Sequence, residues 1–533
     1  MTIEFSLIVP RGDYVSKAPD FQGNDWGIRT NGLRYTENRR RLGRGGDPLI
    51  DFEETTILEM QRGMENGSFR AKELTLYYME RISELDKNGP RLNAVLEWNP
   101  DALAIAEAMD REREVRGARG PLHGIPVLLK DNIETADRLH TSAGAMALAD
   151  SYAAKDAFVV RRLRQAGAIV LGKANMSEMA KFVSESMPNA YSSRGGIVRN
   201  PYGPGEFDVG GSSCGSAVAV AANLTTVSLG TETLGSIINP AVENSIVGLD
   251  PTIGLVSRTG LIPLAPTHDT IGPMTRTVAD AAVVLSAIAG FDEEDVSTRM
   301  GMGHALDDYL PCLDEGGLRG ARIGIPKDAD YPDLEREDRR LLERELETLR
   351  RLGADLVEID DLNKLQRQKW DVTVLMYEFK PAFNHYLSLL GPHVPIHSLK
   401  DLIAYNRLHN PGVALYGQQL LLAAERTSGT LTEAEYIRAK LRDLRLSQRE
   451  GIDAFIDRYR LDAILSPGHT GVAAPAKAGY PSITVPAGYH DSGKPFGLTW
   501  TSGAFTEPKL LSFAYAYEQA TKHRKSPAFN IKG

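Results

Sequence analysis

Three short segments of the 533-residue chain carry the residue types from which a serine-based catalyst could be built: "LLKDN" around Lys130, "GGSSCGSAVAVAAN" around Ser212 and Ser213, and "GTETLGSIINPA" around Ser236. A serine hydroxyl is a poor nucleophile unless a base takes its proton, and a lysine can be that base only when it is uncharged. Each segment alone is a weak indication, because serines beside glycines commonly form loops and a lysine after an apolar strand is commonly a surface residue. Ser236 is therefore open to two interpretations, a nucleophile or a small residue in a tight turn.

The run from Gly211 to Gly215 also satisfies the pattern G-x-S-x-G, in which a serine stands on a sharp turn directly after a strand. The preceding residues, "YGPGEFDVG", are loop-like, and no later aspartate and histidine stand out as partners for the serine. We therefore interpret this match as accidental.

The apolar pattern predicts the elements that must position these residues. "VLL" is a buried-strand candidate that ends directly at Lys130, and α/β enzymes commonly place their chemistry at strand ends. "DAFVVRRLRQAG" predicts an amphipathic helix and "AIVLGK" a short strand, which together form half of a βα repeat. The glycine-rich run from Ser193 to Ser216 predicts a long functional loop, followed by a helix of small residues in "AVAVAANL".

Residues from Asp51 to about Asp110 are predicted to be helical, with Asn99 as a cap and Pro100 at the first position of the last helix. From about residue 318 a second α/β pattern follows, "ARIGIP", a charged helix and "ADLVEI". The late strands in "DAILSP" and "SITVPAGY" could rejoin the early sheet.

These patterns predict a single large α/β domain with a central mixed β-sheet surrounded by helices. We expect it to span residues 51–525, to contain a mainly helical insertion at about 362–459, and to follow an N-terminal extension of residues 1–50.

Composition excludes several classes of partner. The 61 Lys and Arg against 70 Asp and Glu give a net charge of −9, which argues against a nucleic-acid or anionic-membrane surface. Two cysteines, Cys214 and Cys312, cannot form a disulfide framework and lack the CxxC pairing of a zinc site. We find no signal-peptide pattern and no apolar stretch of about 18 residues, so we expect a cytoplasmic protein without a membrane span. The oligomeric state is not indicated.

Considered jointly, the three segments resemble the amidase signature family. The family pattern is Gly-Gly-Ser-Ser-Gly-Gly-Ser, a helix of small residues, and then Gly-Thr-Asp-x-Gly-Gly-Ser-Ile with a Pro-Ala pair. This chain has "GGSSCGS" from Gly210 and "GTETLGSI" from Gly230, and Ser212 and Ser236 are 24 positions apart, as in the family. "GPLHGIPVLLKDNI" resembles the lysine segment of the family, and the similarity runs from about Asp51 to Lys522. "NPDALAIAEAMDRER", "DLIAYNRLHN" and "EPKLLSFAYAYEQ" resemble bacterial peptide amidases.

The resemblance implies an amidohydrolase that cleaves a carboxamide C–N bond through an acyl-enzyme. It makes Ser236 the nucleophile, Ser212 a bridging serine held through a cis peptide bond, and Lys130 the terminal base. Burial would lower the pKa of a lysine and so suits it to this task. The resemblance implies no cofactor and no metal; the expected partner is a small-molecule or peptide amide substrate.

The same resemblance assigns the oxyanion hole to the backbone N–H groups of Thr233, Leu234 and Gly235, and substrate contacts to Ser213 and Leu234. Leu234 stands where the family favours glycine, and a left-handed conformation there would strain a leucine. Its side chain would intrude on the pocket or line it.

Three further departures surround the motif. Cys214 replaces a glycine, Ile238 stands where many members have an arginine, and Asp250 replaces the lysine of "GLKPT". The loss of the arginine is expected to change the partner of Glu232. None of these departures touches Lys130, Ser212 or Ser236.

Several substrates stay open: a peptide C-terminal amide, a related aryl or alkyl amide, or a carbamate. An alternative from another class is the amidase subunit of a tRNA-dependent amidotransferase, which shares these motifs but works in a complex and channels ammonia. A third is a binding protein that keeps the fold without the chemistry.

Overall fold

Eleven strands pair into one twisted sheet in the computed structural model, which describes residues 51–331 and 334–529. The expected N-terminal extension, residues 1–50, lies outside the described residues. The strands of the sheet, and the small β4–β5 ribbon beside it, are β1 (Val95–Trp98), β2 (Pro126–Lys130), β3 (Ile169–Ala174), β4 (Tyr191–Ser192), β5 (Gly196–Ile197), β6 (Val227–Glu232), β7 (Val247–Asp250), β8 (Thr270–Thr275), β9 (Arg322–Pro326), β10 (Asp355–Ile359), β11 (Ala463–Pro467), β12 (Ser482–Tyr489) and β13 (Pro495–Thr501).

The order across the sheet is β1-β3-β2-β6-β8-β7-β12-β13-β11-β9-β10, and the sheet is mixed. β2 runs parallel to both β3 and β6, and β9 runs parallel to both β10 and β11. The late strand β12 pairs with the early strand β7, with Ser482 opposite Asp250. The late strands therefore rejoin the early sheet, and the prediction of a single α/β domain around a mixed sheet is confirmed.

Helices cover the sheet. They are α1 (Ile57–Glu65), α2 (Ala71–Arg81), α3 (Ala102–Arg116), α4 (Phe158–Gln165), α5 (Cys214–Ala221), α6 (Ile238–Glu243), α7 (Val278–Ile288), α8 (Arg336–Arg351), α9 (Leu362–Gln366), α10 (Thr373–Ser388), α11 (Leu399–His409), α12 (Pro411–Tyr416), α13 (Gln419–Glu425), α14 (Ala434–Leu444), α15 (Asp453–Tyr459), α16 (Ala473–Ala478) and α17 (Glu507–Thr521). In the part of the chain that the structure describes, no helix has the length and apolar character needed to cross a bilayer.

The central strands β2 and β6 are buried at every position. In β2 this burial follows from the run "PVLL", because a parallel strand covered on both faces is apolar along its whole length rather than at alternate residues. All residues of α5 are buried as well, and their small side chains let the helix pack closely on the strands. This layer holds the ends of β2 and β6 side by side.

Two predictions near the N-terminus of the domain differ from the structure. The segment expected to be all helical contains β1, a four-residue edge strand that pairs antiparallel with β3 and is too short for a periodic signal. The helix expected to begin at Pro100 begins at Ala102, with Asp101 at its cap. Asn99 Oδ1 instead accepts the Asp101 N–H at 3.0 Å and closes the preceding turn.

Residues 362–459 contain α9 to α15, and much of this region packs beside the carboxyl end of β2. Apolar side chains of α10, α11 and α13 share a buried cluster with Met179, Phe182, Ile262 and Leu264. The Ile262 N–H donates to the carbonyl oxygen of Asn132, two residues beyond the end of β2, at 2.9 Å. The helical region thus forms a wall next to the residues described below.

Candidate active site

Lys130 is the last residue of β2, and Thr231 and Glu232 end the neighbouring parallel strand β6. Because parallel strands present their carboxyl ends at the same sheet edge, these side chains meet. The Lys130 Nζ lies 2.8 Å from Thr231 Oγ1 and 3.2 Å from the Thr231 carbonyl oxygen. A third contact joins Nζ to Ser212 Oγ at 2.7 Å. Lys130 is fully buried, and each of its contacts is to a neutral oxygen.

Burial lowers the pKa of Lys130 to about 7, because the ammonium loses its hydration in the interior. The negative charges of Glu232 and Asp269 act in the opposite direction but do not offset the effect of burial. A substantial fraction of Lys130 is therefore the neutral amine near neutral pH.

Ser212 lies in the loop that leads into α5, and the peptide bond between Gly211 and Ser212 is cis, as the resemblance to the family implies. The Ser177 N–H donates to the Ser212 carbonyl oxygen at 3.0 Å and fixes this loop from outside. The Ser212 side chain is almost completely buried and points to Lys130. The structure thus brings Lys130 and Ser212 into direct contact.

Ser236 lies in the turn between β6 and α6 and keeps 9% of its surface exposed. The Ser213 N–H donates to the Ser236 carbonyl oxygen at 3.2 Å, so a backbone bond joins the two serine segments. In the described part of the chain, the Ser236 hydroxyl makes no hydrogen bond. Among Lys130, Ser212 and Ser236, it is the residue with the largest exposed fraction.

Glu232 organises the turn that carries Ser236. Its carboxylate accepts the N–H groups of Gly235 and Ile237, and the N–H of Ile238 at 3.3 Å. Burial raises the pKa of Glu232 above its ordinary value, while these three donors and the charge of Lys130 oppose the rise. The backbone at the start of α6 is therefore the partner of Glu232 in this chain, which has isoleucine at position 238.

In the turn between β6 and α6, several backbone N–H groups have no hydrogen-bond acceptor among the described residues. Among the described residues, the N–H groups of Thr233, Leu234 and Ser236 find no acceptor, whereas that of Gly235 is engaged by Glu232. Gly235 has a φ of 94°, and Leu234 is not among the residues with positive φ. The expected strain at Leu234 is therefore absent, because glycine occupies the left-handed position. The Leu234 side chain is partly exposed beside Ser236.

Ser213 is fully buried. Its Oγ donates to the Thr231 carbonyl oxygen at 3.1 Å and accepts the Thr231 N–H at 3.2 Å. Since the hydroxyl already has both partners within the protein, this geometry argues for a structural clamp on Thr231 rather than the expected substrate contact.

The other departures from the family motif are also buried. Burial raises the pKa of the Cys214 thiol to about 11, so that it stays protonated. Asp250 ends β7, and burial together with the charges of Glu232 and Glu507 raises its pKa well above the ordinary value. Neither residue makes a hydrogen bond to Lys130, Ser212 or Ser236 in the described structure.

Reasoning from sequence missed Thr231, which holds Lys130 through two oxygens and also accepts a hydrogen bond from Asn132 Nδ2 at 3.0 Å. The signal was present, because Thr231 stands inside the quoted segment "GTETLGSIINPA". Its position at a strand end next to β2 could be known only from the pairing of β2 with β6.

Comparison with known proteins gives a consistent result. The family model described as Amidase matches residues 73–476. A probable amidase of Arabidopsis thaliana is 42% identical over 490 residues, which cover 90% of this chain and 92% of that protein. The crystal structure of the native peptide amidase from Stenotrophomonas maltophilia has 46% sequence identity and a TM-score of 0.84, covering 90% of this chain and 99% of the other. One component of the glutamyl-tRNA(Gln) amidotransferase of Methylococcus capsulatus is 34% identical over 498 residues, which cover 89% of this chain and 98% of that protein.

Proposed function

The chain belongs to the amidase family and is an amide hydrolase, and we propose that it acts through an acyl-enzyme on Ser236, with Ser212 and Lys130 as its proton relay. The observation that carries this proposal is the 2.7 Å contact between Lys130 Nζ and Ser212 Oγ in a buried site. The pKa of Lys130, lowered by burial to about 7, makes the neutral amine available as a base.

The contacts of Lys130 fit the neutral amine. A neutral amine has two N–H donors and one lone pair, and the two Thr231 oxygens can accept both N–H groups. The lone pair is then left for the hydroxyl proton of Ser212. An arrangement of this kind orients the base before substrate arrives.

Attack requires the Ser236 hydroxyl to donate to Ser212 Oγ. As Ser236 Oγ bonds to the carboxamide carbon, its proton passes to Ser212, and the Ser212 proton passes to Lys130. Catalytic hydrogen bonds often form fully only when substrate is bound. A Ser236 hydroxyl without a partner in the described part of the free protein is therefore compatible with this step. The C–N bond then breaks, and the proton returns through Ser212 to the departing nitrogen.

Deacylation repeats the sequence with water. Water loses a proton through Ser212 to Lys130 and bonds to the acyl carbon, and the bond to Ser236 Oγ breaks as Ser236 regains its proton. The negative oxygen of each tetrahedral intermediate needs nearby donors. We assign this task to the open N–H groups of Thr233 and Leu234, with that of Ser236; the predicted donor Gly235 would have to be shared with Glu232.

For the substrate we propose a peptide C-terminal amide or a related aryl or alkyl amide or carbamate. The 46% identity to a peptide amidase supports a peptide-like acyl group, with Leu234 lining its pocket. The second candidate function is that of a component of a tRNA-dependent amidotransferase. A relative of that kind is 34% identical to this chain.

A panel of amides tests both candidates. The purified chain is incubated alone with C-terminal peptide amides, alkyl amides, anilides and carbamates, and the release of ammonia or amine is measured. We expect turnover of peptide amides that is lost in Ser236→Ala. Turnover only in the presence of the other amidotransferase components would favour the second candidate.

A further inference from the structure

Asn239 stands beside the proposed nucleophile but is not part of the proton relay. Its N–H donates to the Gly235 carbonyl oxygen at 2.9 Å, so the chain from Gly235 to Asn239 forms a helical turn. Side chains three positions apart on a helical turn have Cβ atoms about 5–6 Å apart. The Asn239 side chain therefore lies next to Ser236, and it is partly exposed.

The oxygen of the Asn239 amide is anchored. Asn239 Oδ1 accepts the N–H of Gly211 at 2.9 Å, and only the oxygen end of a carboxamide can accept a hydrogen bond. The contact is close because Gly210 has no side chain: a Cβ on Gly210 would lie 2.5 Å from Asn239 Oδ1. Asn239 thus ties the loop of Ser212 to the turn of Ser236.

The nitrogen of the same amide has no hydrogen-bond acceptor in the part of the chain that the structure describes. Nδ2 of Asn239 donates to no acceptor within residues 51–331 and 334–529. The atom is not buried, so a substrate could reach it. Anchoring through Oδ1 fixes the direction of this nitrogen. Asn239 therefore presents an oriented, accessible N–H donor where the loop of Ser212 meets the turn of Ser236.

We propose that Asn239 is a specificity-determining residue, whose Nδ2 donates to the carbonyl oxygen of the acyl group that precedes the scissile carboxamide. This role of Asn239 rests on the proposed function. It implies that N-acylated aminoacyl amides, including peptide amides, are preferred as substrates over simple alkyl amides.

A matched pair of substrates isolates this contact. N-acetyl-leucinamide carries the preceding carbonyl, and 4-methylpentanamide has the same side chain and carboxamide but lacks the acetamido group. Asn239→Asp keeps an oxygen for the Gly211 N–H and removes the donor. We expect its kcat/KM for N-acetyl-leucinamide to fall about 10-fold, mostly through KM, as for one lost hydrogen bond. Its kcat/KM for 4-methylpentanamide should change less than about threefold.

Asn66→Asp is the matched control, because Asn66 is exposed at the end of α1 and its Oδ1 also accepts a backbone N–H, from Ser68 at 3.0 Å. It should leave the ratio of kcat/KM for the two amides unchanged. If Asn239→Asp lowers both amides equally, or neither, the specificity role is wrong. If Asn239→Asp does not fold, calorimetry with Ser236→Ala decides: N-acetyl-leucinamide must bind at least about threefold more tightly than 4-methylpentanamide, and equal affinity overturns the role.

The same measurements give a different result if the proposed function itself is wrong. In that case the wild-type protein hydrolyses neither amide, or Ser236→Ala hydrolyses them undiminished. A wild-type enzyme that depends on Ser236 but does not discriminate between the two amides contradicts the role of Asn239 alone.

Discussion

The site has two halves, one around Lys130 and one around Ser236. They differ in how many of their hydrogen-bonding groups have a partner within the protein. Around Lys130, each polar group that holds the lysine is buried and paired: Nζ contacts Ser212 and Thr231, and Ser213 clamps the Thr231 backbone. Around Ser236, the hydroxyl and the N–H groups of Thr233 and Leu234 have no partner within the described residues. Backbone N–H groups without a partner beside Ser236 could donate to the negative oxygen that forms on the substrate in the transition state.

This difference assigns separate tasks to the two halves. The lysine half contains a base whose pKa is lowered by burial, and the hydrogen bonds to Thr231 orient it. The serine half keeps its hydrogen-bonding capacity for the transition state. Variants in each half should consequently fail in different ways.

The largest effect is expected at Ser236. Ser236→Ala removes the atom that would form the acyl-enzyme, and we expect kcat to fall about 10⁴-fold or more, the scale of losing a catalytic nucleophile. Circular dichroism should show an unchanged fold, since the hydroxyl has no hydrogen-bond partner to lose among the described residues. Undiminished turnover by the variant would remove Ser236 from the mechanism.

Lys130→Met comes next. The loss of a general base typically costs about 10²–10⁴-fold in rate. In the wild type, kcat/KM should rise with pH and level off above about 7, because only the neutral lysine accepts a proton. Residual activity of Lys130→Met should lack this rise. An unchanged pH profile in the variant would show that another group is responsible for it.

The same lysine should make stability depend on pH. The folded pKa of about 7 lies below the ordinary value of 10.5, so the unfolded chain binds an extra proton between these limits and wild-type stability rises with pH there. At about 1.4 kcal/mol per pKa unit, the wild type should gain roughly 4 kcal/mol over Lys130→Met between pH 7 and pH 10. Denaturant unfolding at both values measures this; a constant difference would contradict the lowered pKa.

A smaller effect is expected at Thr231. Thr231→Val removes one of the two Thr231 oxygens that accept from Lys130, and we expect kcat to fall about 10-fold, the scale of one buried hydrogen bond. Thr484→Val is a matched control, because Thr484 is buried in β12 of the same sheet and donates to the Leu498 carbonyl oxygen at 3.1 Å. If both variants lose activity equally, the loss reflects general destabilisation of the sheet.

The apolar runs predicted the mixed sheet, because such runs are local signals, and the resemblance to a specific motif singled out the segments around Lys130, Ser212 and Ser236. Thr231 could not be recognised as a support for Lys130, since that depends on which strands pair. The roles of Glu232 and Ser213 were also out of reach, because both bind backbone N–H groups, which every residue but proline carries. Leu234 looked strained only because the sequence does not reveal which residue of the turn takes positive φ.

The most direct test of the account is the rate at which a fluorophosphonate modifies the protein as a function of pH, with the modified residue located by peptide mass mapping. A serine activated by neutral Lys130 predicts a single adduct on Ser236, whose rate of formation rises about tenfold per pH unit below pH 7 and is constant above it. An adduct on another residue, or a rate independent of pH between 5 and 9, would contradict the account.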